Sequence, residues 1–144
     1  MILKLKEILN NPLLNIKEKS ITLKNCYNYR IEQDGKELKI FIDRDLPEHE
    51  KICLIAHELA HISLNHSFRK LLHSLSLLFM CGLLVAISLP YLIIFPYILK
   101  IYLNLLMEIE ADNLADKLVP DYYSFLKNQL DNDPLSKYRL SELV

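Results

Sequence analysis

The sequence predicts an α+β fold, in which a small antiparallel β-sheet packs on two helices that are separated by an inserted hydrophobic helical hairpin. Three observations support this fold class. Apolar and polar residues alternate on both sides of a turn signal at Asp34-Gly35. Two segments, near residues 45–65 and 108–119, have the periodicity of amphipathic helices. Between them, 29 residues from Leu71 to Leu99 carry no formal charge.

The N-terminal third accounts for the sheet. Residues 1–14 predict a short amphipathic helix, and residues 21–23 a first strand. Alternation in 27–31 and again in 38–42 predicts a hairpin, because Gly35 between them tolerates the positive φ of a tight turn. The three expected parts of the chain are residues 1–66 (sheet and first helix), 67–107 (hairpin) and 108–144 (second helix and tail).

Composition excludes some function classes. The chain of 144 residues has a net charge of −1 and no basic run, so nucleic-acid binding has no electrostatic support. Its three cysteines form no CxxC pair, which is typical of a reducing compartment. No secretory signal is expected at the N-terminus, where lysines interrupt the apolar residues.

The uncharged segment from Leu71 to Leu99 predicts a membrane insertion. It exceeds the roughly 20 apolar residues that span a bilayer. The alternative is a hairpin buried in a protein core, but a chain of 144 residues leaves little protein to surround one.

The helix at 45–65 carries an HExxH motif, formed by His57, Glu58 and His61. Residues four apart on a helix lie about 40° apart around its axis, so both imidazoles can reach one metal ion. Glu58 lies close enough to take a proton from a water on that ion. The motif therefore predicts a zinc site with Glu58 as the catalytic base.

A catalytic zinc site needs a third protein ligand. The second helix offers four acids, and Glu108 and Asp112 share its alanine-rich face, about 40° apart. We expect Glu108 to bind zinc and Asp112 to accept an N–H from His57 or His61 and so orient that ring, although a surface acid is the alternative for Asp112. Glu110, about 200° from Glu108, is expected to point into solvent or lipid headgroups, and the fourth acid of this helix, Asp116, is expected in solvent.

The other histidines are not expected to bind the metal. On a continuous helix His66 lies about 180° from His57, on the opposite face. His49 is expected to be exposed, and His73 to lie at the membrane interface. The group that stabilises the oxyanion is not fixed by the pattern. Tyr122, Tyr123 and Tyr138 are candidates only through their position after the second helix, and ordinary packing is the favoured alternative for each.

These motifs resemble a known family. HELAH at His57–His61, followed by ExEADxxAxxLxP at Glu108–Pro120, is similar to the gluzincin-type ImmA/IrrE metallopeptidases. The lead-in KIFIDRDLPEHEKICLIAHELAH also matches, so the resemblance covers roughly residues 21–120 without the hydrophobic insert. It implies a zincin-like fold with zinc on His57, His61 and Glu108 and with Glu58 as base. Its usual activity is cleavage of a regulatory protein.

The insert departs from that family. The soluble members usually have a shorter, polar link between the two motifs. An apolar hairpin at this place is instead similar to the HtpX and CAAX-prenyl-protease group of membrane metallopeptidases, which normally carry further membrane helices before HExxH.

The chemistry constrains the topology. His57 and Glu108 must reach one ion, so the segment between them must cross the membrane an even number of times or dip in and return. Arg69, Lys70 and Lys100 lie towards the base of the hairpin, which predicts an active site on the cytoplasmic side.

The sequence thus predicts a membrane-associated zinc metalloendopeptidase. It would hydrolyse peptide bonds of a cytoplasmic regulatory protein with water activated by zinc and glutamate. The alternative is a non-enzymatic membrane regulator, or immunity-type interaction protein, with a structural zinc site. A small membrane-active toxin is a third reading, but it leaves the metal motifs unexplained. The expected partners are a protein or peptide substrate and the membrane, with no nucleic acid.

Overall fold

The computed structural model describes residues 2–14, 16, 20–26, 30–34, 37–43, 45–87, 89–130 and 139. Helices make up most of this part of the chain. In order, the elements are α1 (Ile2–Leu9), β1 (Ser20–Cys26), β2 (Arg30–Asp34), β3 (Glu37–Asp43), α2 (Glu48–Ser63), α3 (His66–Ala86), a 3₁₀ turn (Pro90–Ile93), α4 (Ile94–Leu118) and α5 (Tyr122–Leu130).

The predicted α+β fold with an antiparallel sheet is wrong, because the described chain is mainly helical and its small sheet is mixed. The strand order is β1-β3-β2. β2 and β3 pair antiparallel, with Asp34 opposite Glu37, but β1 runs parallel to β3, with Ser20 opposite Glu37. Alternating polarity indicates that a segment is extended, but it does not show which strand lies beside it. The parallel pairing of β1 with β3 therefore could not be predicted, and it is this pairing that makes the sheet mixed.

The core lies where α2 meets the C-terminal half of α4. Four alanines at this crossing, Ala56 and Ala60 on α2 and Ala111 and Ala115 on α4, are fully buried. Small side chains let the two backbones approach closely, which brings polar side chains of both helices within reach of one another. α1, α5 and Ile40 of β3 complete the apolar cluster around α2.

A sharp corner joins α2 to the hairpin. α2 ends at Ser63, and Asn65 adopts a left-handed conformation with φ of 52°. Asparagine tolerates this conformation better than most residues. The corner changes the chain direction, so α3 begins at His66 as a separate helix.

α3 and α4 form an antiparallel pair that leaves most of its apolar surface uncovered. The stretches His66–Ala86 and Tyr91–Leu118, of 21 and 28 residues, are long and apolar enough to cross a membrane. Large apolar side chains along both, such as Phe79 of α3 (76% exposed) and Phe95 of α4 (62%), face outward. Soluble proteins rarely expose so large an apolar surface, so this hairpin is suited to contact with lipid.

Candidate metal centre

Three of the predicted site residues meet at one point between α2 and α4. Nε2 of His57 and Nε2 of His61 lie 3.0 Å apart. Oε2 of Glu108 lies 3.4 Å from each of these nitrogens. The side chains are 14%, 15% and 31% exposed, so the point is sheltered but open on the Glu108 side. Within the described residues these three side chains form a group that could hold a metal ion.

The geometry fits a tetrahedral zinc ion. Two ligand atoms that are each 2.0–2.1 Å from a tetrahedral zinc lie about 3.3 Å apart. The two nitrogen–oxygen distances of 3.4 Å agree with that spacing, and the nitrogen–nitrogen distance of 3.0 Å is slightly shorter. Two imidazoles and one carboxylate are also a donor set used by catalytic zinc, with a fourth position left for water or substrate.

Asp112 orients His57 through Nδ1, the ring nitrogen that does not face the ligand point. Its Oδ1 lies 2.9 Å from Nδ1 of His57, and the side chain is fully buried. The Tyr122 hydroxyl donates to the same oxygen over 2.7 Å and lies 3.0 Å from Nδ1 of His57. Because an ionised carboxylate only accepts, Nδ1 of His57 carries a proton, and a neutral ring then directs the Nε2 lone pair towards the ligand point.

A residue of the C-terminal tail completes the Asp112 environment. Arg139 donates from Nε to Oδ2 of Asp112 over 2.7 Å and from Nη2 to Oδ1 over 2.9 Å. Its Nη2 also lies 3.9 Å from Oε2 of Glu108. The bidentate pair supplies the counter-charge that a buried carboxylate requires. No pattern in the sequence links Arg139 to Asp112, so this partner was not predicted.

These contacts determine the protonation of His57. Burial alone would lower its pKa, but hydrogen bonds to Asp112 and Glu108 outweigh burial and raise the pKa to about 9. Without a metal ion, the second ring proton is held at Nε2, next to Glu108. That is the position a cation would take, so a metal and this proton compete for one lone pair.

The prediction that His66 faces away from the site is wrong. Its Nδ1 lies 2.6 Å from Nδ1 of His61, and its side chain is 1% exposed. A helical wheel places His66 opposite His57 only if α2 continues through residue 66. The left-handed residue Asn65 ends that helix, and the first turn of α3 brings His66 back against the site.

Glu110 points away from the ligand point, as expected, but it has partners that the sequence did not predict. The side chain is 43% exposed, but its Oε2 lies 3.1 Å from Nε2 of His66. Arg69 holds the same carboxylate with both terminal nitrogens, and its Nη2 donates to Oε1 over 3.2 Å. Glu110 does lie on the side of α4 away from Glu108. The sequence did not predict that α3 packs on that side and supplies partners to Glu110.

Other charged groups surround the ligand point. Glu58 is half-buried on α2, directly after His57. Lys70, 47% exposed, has its ammonium 3.8 Å from Oε1 of Glu108. The opening on the Glu108 side thus has a cation at its edge, near the point where α3 leaves the core.

Among the remaining candidates that the structure describes, none supplies an atom to the ligand point. Tyr122 is 1% exposed and donates its hydroxyl proton to Asp112, so it does not face the open side as an oxyanion donor would. Tyr138 lies outside the described residues. His49 is exposed and its Nε2 lies 3.8 Å from Sγ of Cys53, and Nδ1 of His73 is buried in α3 without a hydrogen-bond partner.

No family model, no curated protein and no solved structure matches this chain. The resemblance to the ImmA/IrrE metallopeptidases therefore rests on the two motifs and stays a prediction.

Proposed function

We propose that the protein is a membrane-anchored zinc-dependent peptidase that cleaves a cytoplasmic regulatory protein. The observation that supports this best is the convergence of His57 Nε2, His61 Nε2 and Glu108 Oε2 on one partly open point. Three ligands with an open side are typical of catalytic zinc, whereas structural zinc usually has four protein ligands. The arrangement favours catalysis over a purely structural role.

The residues around the point have distinct tasks in this mechanism. When bound, zinc would polarise the scissile carbonyl and lower the pKa of a water molecule. Glu58 would take a proton from the attacking water and deliver it to the leaving amine. Asp112 would keep the Nε2 lone pair of His57 directed at the ligand point, and Arg139 would keep Asp112 ionised.

The hairpin holds the catalyst at a membrane surface. Exposed apolar side chains on α3 and α4 support insertion into lipid, and Arg69 and Lys70 at its base favour the cytoplasmic side for the metal centre. Both ends of the hairpin lead into the same metal centre, so the chain leaves and re-enters the membrane on one side.

Zinc content of three purified proteins tests the metal assignment. In detergent micelles, we expect about one zinc ion per wild-type chain by atomic emission, in line with a single three-ligand site. Glu108→Ala should lose it, and Asp116→Ala, which removes an acid elsewhere on α4, should keep it. A wild-type protein without zinc, or Glu108→Ala with a full complement, would refute the assignment.

Cleavage of a proteome-derived peptide library, read by mass spectrometry, tests the reaction. We expect the wild type to cleave the library and Glu58→Gln to keep zinc but lose cleavage. The control is Glu50→Gln, the same substitution two turns earlier on α2, which should cleave as the wild type does. A zinc-loaded wild type that leaves the library intact would favour the alternative of a non-enzymatic membrane regulator.

A further inference from the structure

A chain of hydrogen-bonded side chains leads from the metal centre into the base of the hairpin. Nδ1 of His61 lies 2.6 Å from Nδ1 of His66. Nε2 of His66 lies 3.1 Å from Oε2 of Glu110, and Arg69 holds that carboxylate with two nitrogens. We refer to Arg69, Glu110, His66 and His61 as the relay.

The relay determines which nitrogen of His61 carries the proton. The Arg69 guanidinium keeps the Glu110 carboxylate ionised, so the carboxylate accepts and His66 must donate from Nε2. His66 is 1% exposed, and burial favours its neutral form, which leaves Nδ1 as an acceptor. Nδ1 of His61 must then be the donor. The Nε2 lone pair of His61 is thereby directed to the metal.

The two metal-binding histidines are thus oriented by different partners. His57 depends on Asp112, within the helical core, whereas His61 depends on groups from the two hairpin helices. His66 and Arg69 lie in the first turn of α3. Glu110 lies on α4, two residues after the predicted ligand Glu108. The pair His66–Glu110 bridges 44 residues of sequence and encloses the whole hairpin.

We propose that His66, with Glu110 and Arg69 behind it, is a positioning residue for His61, which makes metal affinity depend on how α3 and α4 meet at the hairpin base. The proposal rests on the proposed function insofar as it takes the ligand point for a zinc site. It does not depend on which peptide bond is cleaved.

Zinc affinity of His66 variants tests the relay. We expect His66→Phe to weaken zinc binding about 10- to 100-fold in a chelator competition in micelles. His66→Asn should retain most of the affinity, because its Oδ1 can replace Nδ1 as acceptor for His61. His49→Phe, the same change at an exposed histidine on α2, should bind as the wild type does. Equal affinity of His66→Phe and wild type would overturn the proposal.

A second variant covers the case in which His66→Phe does not fold. Glu110→Ala removes a half-exposed side chain and leaves the core intact, and we expect it also to weaken zinc binding. Asp116→Ala on the same helix is its control. If folded Glu110→Ala keeps the wild-type affinity, the carboxylate does not act on His61.

Histidine tautomers give a readout that general loss of packing would not produce. In metal-free protein labelled with ¹⁵N-histidine, long-range ¹⁵N–¹H NMR should show a proton on Nδ1 of His61 in the wild type. Glu110→Ala should give a mixture of both tautomers. An Nε2-protonated His61 in the wild type would overturn the relay. This measurement decides the relay even if the wild type binds no zinc, which would refute only the proposed function.

Discussion

The hydroxyl of Tyr122 donates to Oδ1 of Asp112 over 2.7 Å, and both groups lie fully inside the protein. Burial raises the pKa of Tyr122, and the Asp112 charge adds to the shift, so the phenol stays protonated and can only serve Asp112 as a donor. One carboxylate thereby connects α5 and Arg139 of the tail to His57 on α2.

Asp112→Asn should weaken both folding and metal binding. The substitution removes the carboxylate charge that the Arg139 guanidinium contacts at 2.7 Å and leaves it only Glu108, 3.9 Å away, which we expect to lower the free energy of unfolding by about 3 kcal/mol. An amide donor facing Nδ1 of His57 also disfavours the required tautomer, so zinc affinity should fall about 10- to 100-fold. Denaturant unfolding in micelles and chelator competition measure the two effects.

Tyr122→Phe is the matched control for that substitution. It removes the hydroxyl that donates to Asp112 but leaves the contacts of Asp112 with Arg139 and with Nδ1 of His57, so the free energy of unfolding should fall by about 1 kcal/mol. Zinc affinity should change little. A loss of zinc as large as that of Asp112→Asn would mean that the hydroxyl, and not the carboxylate, orients His57.

Zinc binding should release a proton and tighten with pH. The metal-free His57 has a pKa of about 9, raised by Asp112 and Glu108 against the effect of burial. At pH 7.5 it is mostly protonated, so zinc must displace that proton. We expect release of about one proton, from calorimetry in buffers of different ionisation enthalpy, and affinity that rises up to about tenfold per pH unit between pH 6.5 and 8.5. A constant affinity over this range would contradict the assigned charge state.

Cys53 should resist alkylation in the folded protein. Burial raises the pKa of its thiol to about 11, with Glu50 and Asp121 adding to the shift. Fewer than about one thiol in a thousand is then ionised at pH 7.5, and the side chain is fully buried. Peptide mapping after iodoacetamide should find Cys53 unmodified in micelles and modified after guanidinium unfolding. Rapid alkylation of the native protein would show that α2 is not packed as described.

The hairpin should keep the protein in the membrane during carbonate extraction. Charging Leu78 and Phe79 together to Glu, at two exposed positions of α3, should release or destabilise it, since a charged side chain in a bilayer centre costs about 2.5–3.5 kcal/mol or more. Leu3→Glu, a comparable change at an exposed residue of α1, should leave the protein in the pellet. Extraction of the wild type by carbonate would argue that a protein partner, rather than lipid, covers the hairpin.

Helical periodicity was enough to predict which residues of one helix share a face. His57, His61, Glu108 and Asp112 were chosen by their spacing along two helices, and the structure brings all four together. The zinc itself, and the roles of these residues, stay predictions.

Contacts between distant segments could not be predicted in this way. His66 was misassigned because one left-handed residue, Asn65, ends α2 earlier than its apolar pattern suggests. The sheet was misassigned because alternation indicates strands without their neighbours. Glu110 and Arg139 take their positions from partners 27 to 44 residues away, where no periodicity operates.

α4 runs without interruption from Ile94 to Leu118, and it carries both outward apolar residues and the ligand Glu108. From Tyr102, which is 55% exposed, to Glu108 the helix rises about 9 Å. With the hairpin embedded in lipid, the continuous helix α4 would fix the distance between the ligand point and the bilayer surface. An extended chain anchored in the same bilayer covers that height in roughly three residues. In the membrane peptidase proposed above, a substrate bond at that distance from its own membrane anchor would reach the ligand point directly, whereas a bond farther along the substrate would have to fold back.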